Sequence, residues 1–572
     1  MRLLAFLEEV GSAAMVAAVG AAAPAIVRPA DPAHGDYQLN GVLGLAKQLG
    51  RPPRELAEPV AVELRKHPAI AEATVAGPGF INMRIAPAFL TEQLAAVAKD
   101  STRDGVPEVA SPLKVVVDFS SPNIAKEMHV GHIRSTVLGD ALSRVLAFVG
   151  HKVTRDNHLG DWGTQFGMLI VGMRRHGSQA ALAEHPVQEL ERVYKLTSAE
   201  AKENTAVADE ARAELAKLQK GDPENRRLWE SFVAATRVEL DAIYERLGGV
   251  HFDLWMGESA YEEMLPGVVE RLLKEGIARV DQDAVCVFFE DDPELGKSET
   301  PFIIQKKDGA FLYGTTDIAT VLWRRDHLQA DRALYVVGKP QALHFKQLFA
   351  TVRKLGVTMQ LEHIGFGSIL GSDGKLLRTR GGATVRLADL LDEAEERAAA
   401  LMKEEGIELE PALVRSIAVG AVKYADLSQN RNSDYRFDWG KLISLKGNSG
   451  PYLQYANARV RAIFRKGEVD PSTLLDEGGG ALDLAHEAEL LLTKRLLAFA
   501  DVVHVVAETS QPHLLCEHLF SLARDFSGFY EQCPVLKAEG AARHTRLLLC
   551  WLTARQLSRG LDLLGIAAPD RM

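Results

Sequence analysis

The chain has 572 residues, more than one hydrophobic core usually supports, so three or four domains are expected. Hydrophobic residues make up 47% and charged residues 25%, which excludes long disorder and a collagen-like chain. The formal net charge of −11 counts against a nucleic-acid partner unless basic surface is concentrated locally. Four cysteines, Cys286, Cys516, Cys533 and Cys550, are too few and too scattered for a disulfide framework or a CxxC metal site. A reducing, cytoplasmic location fits them.

The opening run MRLLAFLEEVGSAAMVAAVGAAAPAIV has a basic start and a small-residue stretch, as an export signal has. Glu8 and Glu9 interrupt its apolar part, so a surface helix with an Ala-rich face is expected instead. No other segment reaches membrane-spanning length, and no membrane partner is expected. With HGDYQLNGVLGLAKQLG and the strand-like GPGFINMRIA, residues 1–105 read as a small α/β module ending in AKDSTRDGVPEVASP.

The run Leu113 to Phe119, LKVVVDF, is short, apolar and β-branched, as a buried parallel strand is, and Ser120 to Asn123 break it. Ile133, Val137, Leu138, Leu142, Val145, Leu146 and Val149 then repeat at helical spacing. That places His129, Gly131 and His132 at or just before a first helical turn. Unpaired backbone N–H groups and the positive end of the helix dipole collect there and attract anions. Gly131 lets a nucleotide approach the backbone, and two imidazoles can donate to phosphate oxygens as charge moves. The pattern suits cleavage of ATP between its α and β phosphates. A zinc pair is the alternative, but the third-ligand candidates His151 and His158 lie beyond a whole helix without ligand-like spacing, so no protein metal site is expected.

HKVTRDNHLGDWGTQFG (151–167) reads as a second strand with a glycine-rich loop at its carboxyl end, where parallel sheets bind ligands. Residues 168–300 are mostly charged helical sequence, as in an insertion between the halves of a nucleotide-binding fold. Sheet sequence resumes at PFIIQKKDGAFLYG, a hairpin turning at Asp308-Gly309, followed by a helix from Thr316 and the buried strand RALYVVG. GFGSILG (365–371) misses the dinucleotide fingerprint by one position and runs into the polar loop SDGKLLRTRGG where that fingerprint needs a helix. Residues 385–572 read as largely helical, broken by GEVDPSTLLDEGGGALD. Within them ARVRAIFRK carries Arg459, Arg461, Arg465 and Lys466, either a basic RNA-facing patch or a solvated helix face.

Taken together, VDFSSPNIAKEMHVGHIRST, NHLGDWGTQFG, YGTTDIA, GKPQALHF, KYADLSQNRNSDYRFDW, GNSGPYLQYANARVRAIFRK and the terminal LLGIAAPDRM resemble, in order and over the whole length, the arginyl-tRNA synthetases of class I. The resemblance implies a multidomain α/β plus all-α fold. Residues 1–105 would read the tRNA elbow, 106–384 would form a Rossmann-like catalytic domain with an insertion at about 168–300, and 385–572 would form a helical anticodon-binding bundle. It implies an arginine–tRNA ligase: arginine and ATP give arginyl-adenylate and pyrophosphate, and the terminal ribose of tRNA(Arg) then takes the arginyl group. Mg²⁺ would arrive with ATP, and the enzyme would act as a monomer.

Residue by residue, the resemblance gives His129 and His132 to the ATP phosphates, with Gly131 and Gly367 also in the ATP site. Tyr313 and Asp317 would contact the arginine side chain, Asp118 and Asn123 the substrate near the first strand, and Gln341 would close the pocket. A guanidinium with five fixed donors calls for carboxylates, for which Asp118 and Asp317 are the candidates, although Asp317 after Thr315 and Thr316 could equally serve a helix dipole. Tyr452, Gln454, Tyr455 and Arg459 would meet tRNA. For Tyr424, Tyr452, Gln454 and Tyr455, core packing is the alternative. The mobile loop KLLRTRGG supplies Lys375, Arg378 and Arg380 but lacks the second lysine of most class I enzymes, and Lys126 would replace it. Adenylate formation would wait for tRNA.

Overall fold

A run of β-branched residues between two chain breakers makes the first parallel strand, β1 (Lys114–Asp118), with Val115, Val116 and Val117 buried on both faces. The computed structural model describes residues 1–31, 33–296, 300–378, 384–475 and 482–572. They divide into two units, one of Ala110–Ser444 with Leu564–Ile566, the other of Met1–Val109, Leu445–Leu563 and Ala567–Met572.

In the first unit β1 is followed by helix α1 (Val130–Phe148) and β2 (Lys152–Asp156). After the insertion come α2 (Tyr313–Asp326), β3 (Arg332–Tyr335) and β4 (Gln360–His363). The four strands form one parallel sheet in the order β4, β3, β1, β2. Asp118, Asp156 and Tyr335 are register partners at the carboxyl ends of three neighbouring strands, where an open α/β sheet binds ligands.

The insertion contains the helices Gln165–His176, Pro186–Glu203, Thr205–Gln219 and Pro223–Arg246, as its charged periodicity predicts. Its later part is mixed, the helix Leu265–Lys274 giving way to strands. Ala278–Asp281, Ala284–Val287 and Phe302–Gln305 form an antiparallel sheet. The hairpin expected at Asp308-Gly309 turns there, with Gly309 at φ 83°, yet its returning arm contributes only the single bridge of Phe311 to Gln305. The helix expected from Thr316 begins at Tyr313.

Sequence periodicity also placed residues 385–444 in one helical domain with the rest of the tail. Instead α3 (Leu387–Glu404) and α4 (Pro411–Leu427) belong to the unit of the parallel sheet. Two buried ion pairs tie α4 to α1: Arg134 with Asp426 at 3.1 Å and Lys423 with Asp140 at 3.4 Å. Helical spacing identifies the helix but not the core that receives its apolar face.

In the second unit, the strands Val27–Pro29, Tyr37–Leu39, Phe80–Ile85 and Ile70–Ala76 make an antiparallel sheet in that spatial order. The opening helix Leu3–Val19 is the surface helix expected: Leu3, Leu7, Val10, Ala14 and Met15 are buried along one face, and Glu8, Glu9, Ala13, Val16 and Ala17 are exposed on the other. The same unit holds the helices α5 (Gly450–Gly467), Glu487–Leu497, Phe499–Thr509, His513–Gln532 and Gly540–Leu563. Asp501 accepts from the Leu4 N–H at 2.8 Å, and Arg555 pairs with Asp104 at 2.6 Å, so module and bundle share buried polar contacts. Among the described residues no helix is long and apolar enough to cross a membrane. All four cysteines are buried.

Candidate active site

Between β1 and α1 the backbone takes the left-handed region three times at residues other than glycine: Ser120 at φ 72°, Ser121 at 49° and Ala125 at 61°. Such conformations cost about 1 kcal/mol or more each and persist only where neighbours over-determine them. Here they do. The Ser120 N–H donates to Ser135 Oγ at 2.8 Å, the Ser121 N–H to Asn157 Oδ1 at 3.0 Å, and the Ala125 N–H to Thr236 Oγ1 at 3.1 Å.

The turn ends in a cap made of imidazoles. His129, the residue before α1, accepts the Gly131 N–H at Nδ1 (3.0 Å), while His132 accepts the His129 N–H at its own Nδ1 (3.1 Å). A nitrogen that accepts cannot carry the proton, so each neutral ring holds its proton on Nε2, which is left as a donor. Burial drives the pKa of His132 down to about 3, helped by the neighbouring His129 and the Lys126 cation. His129 is lowered by the same burial and by Lys126. Both are neutral at pH 7. To an anion they can offer N–H donors in a helix N-terminal field, not imidazolium charges. Gly131 is required here first by His129: a Cβ would lie 2.8 Å from Cε1 of that ring.

A second segment closes on the turn, with the Val130 N–H donating to Val385 O and the Leu387 N–H to Met128 O, both at 2.9 Å. Between them Arg386 reaches Glu127 at 3.2 Å and Asp389 at 2.6 Å.

The turn faces a cavity of about 700 Å³ at the carboxyl end of the sheet. Of the residues expected in the site, Asp118, Asn123, Gly131, His132, Tyr313, Asp317 and Gln341 line it, and His129 stands beside His132 with ring centroids 4.0 Å apart. Asp317 receives His344 Nε2 at 2.6 Å, and that imidazole lies 4.8 Å from the Tyr313 ring. Tyr313 itself is 63% exposed.

Several residues stand elsewhere. Gly367 does not line the cavity; a Cβ there would meet Asp434 Oδ1 at 2.5 Å and Ser433 O at 2.6 Å, so close packing of the chain explains the glycine. Lys375 and Arg378 are exposed on a small turn in which the Gly371 N–H donates to Lys375 O at 2.8 Å, and neither lines the cavity. Arg380 falls outside the described residues. Lys126 is exposed, with Nζ 6.0 Å from the Tyr194 ring centroid. Asp118, one of the two carboxylates offered for a guanidinium, already binds one, that of Arg324 at 2.6 Å.

On α5, Gln454 is fully buried and donates to Ala567 O at 2.9 Å, so it holds the chain terminus rather than facing RNA. Arg461 pairs with Asp570 at 3.0 Å and Arg465 donates to its carbonyl at 3.0 Å, so half of the basic run serves the same strap. Tyr452 and Tyr455 are half-buried and Arg459 is exposed 5.7 Å from the Tyr455 ring, at helical spacing on one side. Tyr424 is core, 1% exposed.

The cavity also contains groups that sequence reasoning passed over. Glu258, in the short helix Glu258–Met264 of the insertion, has its carboxyl pushed up to about 7 by burial, with Asp317 and Asp161 adding to the effect. His158 and His344 line it too. Nothing local marks Glu258, one of many acids in a charged segment. His158 was weighed only as a zinc ligand, and His344 lay unremarked in GKPQALHF.

The chain is similar to known proteins over its whole length. Residues 95–439 match the model for the catalytic domain of class I tRNA synthetases (R), residues 453–572 that for the DALR anticodon binding domain, and residues 6–85 that for the arginyl tRNA synthetase N terminal domain. An arginine–tRNA ligase of Chromobacterium violaceum is 44% identical over all of both chains. The crystal structure of arginyl-tRNA synthetase from Plasmodium falciparum superposes with a TM-score of 0.86 at 28% identity, covering 100% of this chain and 99% of that one. That of the Thermus thermophilus enzyme gives 0.82 at 26% identity over 100% of both.

Proposed function

The chain belongs to the arginyl-tRNA synthetase family of class I, and we propose that the cavity at the carboxyl end of its parallel sheet is where it joins arginine to AMP before passing the arginyl group to tRNA(Arg). One observation carries the reading: His132, with the neutral His129 ring beside it at a helix N-terminus, lines the same cavity that Asp317 and Glu258 make acidic.

The arginine carboxylate attacks the α-phosphate in line, and pyrophosphate leaves; no protein nucleophile takes part. His129 and His132 donate to phosphate oxygens as negative charge shifts toward the leaving group, backed by the open N–H groups of α1. Asp317, held by His344, and Glu258 present oxygens to the planar guanidinium, with Tyr313 and Gln341 at the mouth. Asn123 and Asp118 lie by the reacting end. Magnesium comes in bound to ATP. The acidic and imidazole cluster of Asp118, Asp156 and His158, within 4.8 Å of one another, is already filled by the Arg324 guanidinium and does not suit it.

Lys126 supplies positive potential beside the turn, a role supported by its pull on both histidines. Lys375 and Arg378, on the loop that precedes the segment closing on the turn, add charge when ATP is bound. In the other unit, Tyr452, Tyr455 and Arg459 face the anticodon, and residues 1–105 read the tRNA elbow. The enzyme is cytoplasmic and monomeric, and adenylation waits for tRNA, which must bind the competent state preferentially. Incubation with ATP, labelled arginine and total tRNA tests the reading: acid-precipitable label is expected with arginine and not with lysine or citrulline. Absence of label from a folded preparation would refute it.

A further inference from the structure

Two buried carboxylates stand side by side at neighbouring strand ends: Asp118 on β1 and Asp156 on β2 are register partners. Left to themselves, such a pair repels, and one member takes a proton. Arg324 of α2, wholly buried, stands between them. Its Nη2 donates to Asp118 Oδ2 at 2.6 Å and to Asp156 Oδ2 at 2.7 Å, and its guanidinium lies 5.2 Å from the centre of the Tyr335 ring. The other titratable groups facing the trio are His158, Tyr261 and Tyr335, and burial keeps both phenols protonated.

Two carboxylates and one guanidinium leave a single negative charge. Of the three, only Asp118 lines the cavity. The Ser121 hydroxyl donates to its other oxygen at 3.1 Å, from a backbone held at φ 49°, so the orientation of Asp118 is fixed from both sides.

On the reading that this cavity binds arginine, we propose that Arg324 is a positioning residue for the substrate's α-ammonium group: by cancelling Asp156 it keeps Asp118 ionised and turned toward the cavity. The amino end of the substrate then meets a negative charge separate from Asp317 and Glu258, which take the side chain. Arg324 touches no substrate. Since it acts by cancelling Asp156, it becomes dispensable once Asp156 carries no charge.

The test uses the full chain with tRNA, Arg324→Gln, and Arg324→Gln combined with Asp156→Asn. Two probes are compared: arginine, through its KM in aminoacylation, and 5-guanidinopentanoate, which lacks the α-amino group, through its inhibition constant. In Arg324→Gln a proton shared by the two carboxylates should raise the arginine KM about tenfold or more, as one pKa unit of lost ionisation does, and leave the inhibitor within about twofold. The double variant should return the arginine KM to within about threefold of wild type, the near-neutral outcome of removing both partners of a buried pair. A double variant no better than the single one, or an inhibition constant rising in step with the arginine KM, overturns the proposal. If the single variant does not fold, the double variant against wild type decides: an arginine KM raised more than about tenfold overturns it. Failure of the underlying reading is separate, since wild type would then charge no arginine at all.

Discussion

The phosphate side of the cavity is built from one short stretch of chain, the turn between β1 and α1, whereas its acidic side gathers Glu258 from the insertion, Asp317 from α2 and His344 from the helix beyond β3. The tautomer of each ring is fixed within the turn, by a strand end, a helix start and two imidazoles that cap it, while Asn157, Thr236 and Val385 hold its backbone. The acidic side has no local geometry of its own. It exists because three distant segments converge, and its charge is set by that convergence: Asp317 helps hold Glu258 near neutrality. A site made by a helix terminus therefore supplies dipoles that are insensitive to pH, and a site made by crowded carboxylates supplies charge that titrates.

That contrast can be broken at either side. His132→Ala removes a donor used mainly in the transition state, so kcat for aminoacylation should fall about a hundredfold while the arginine KM barely changes. A change confined to KM would place His132 outside the phosphate site. Asp317→Asn keeps shape and loses charge, and should weaken arginine by about 2 kcal/mol, roughly thirtyfold in KM, with kcat little affected. An unchanged KM would leave Asp317 as a partner of His344 alone.

Lys126→Ala should slow single-turnover adenylation by about tenfold, less than a buried cation would because Lys126 is exposed and screened. Arg378→Ala should matter less. The reverse order would move the compensating charge to the loop. Glu258 gives the smallest effect. With its carboxyl near 7, it is protonated below that pH and charged above it, so the arginine KM should drop a few-fold between pH 6 and 8, and Glu258→Gln should flatten the change. A steeper profile in the variant contradicts the assignment.

Much of the turn was legible in the sequence because its chemistry follows from chain-local rules: a β-branched run, a break, and a helical repeat that starts at His129. The reason for Gly131 was only half legible, since the ring that a Cβ would strike becomes visible only with the cap folded. Glu258 carries no local mark, and its raised pKa comes from burial. Gln454 is the opposite case. The resemblance gives it to tRNA with core packing as the alternative, and the alternative holds: it faces inward to Ala567, because helical periodicity alone does not say where residues 564–572 will lie. The helices of 387–427 were legible as helices and not as neighbours of α1, a choice made by the buried pairs Arg134 with Asp426 and Lys423 with Asp140.

If His132 works through a neutral Nε2–H while its Nδ1 caps the turn, the two nitrogens can be separated. An asparagine side chain reaches about as far as Nδ1 and a glutamine about as far as Nε2, so His132→Asn spares the cap and His132→Gln spares the donor. The decisive measurement is the single-turnover rate of arginyl-adenylate formation, with tRNA present, in these two variants. His132→Asn should stay as stable as wild type but lose about a hundredfold in rate, while His132→Gln should keep most of the rate and lose stability. A His132→Asn variant that forms adenylate at nearly the wild-type rate would remove Nε2 from the chemistry.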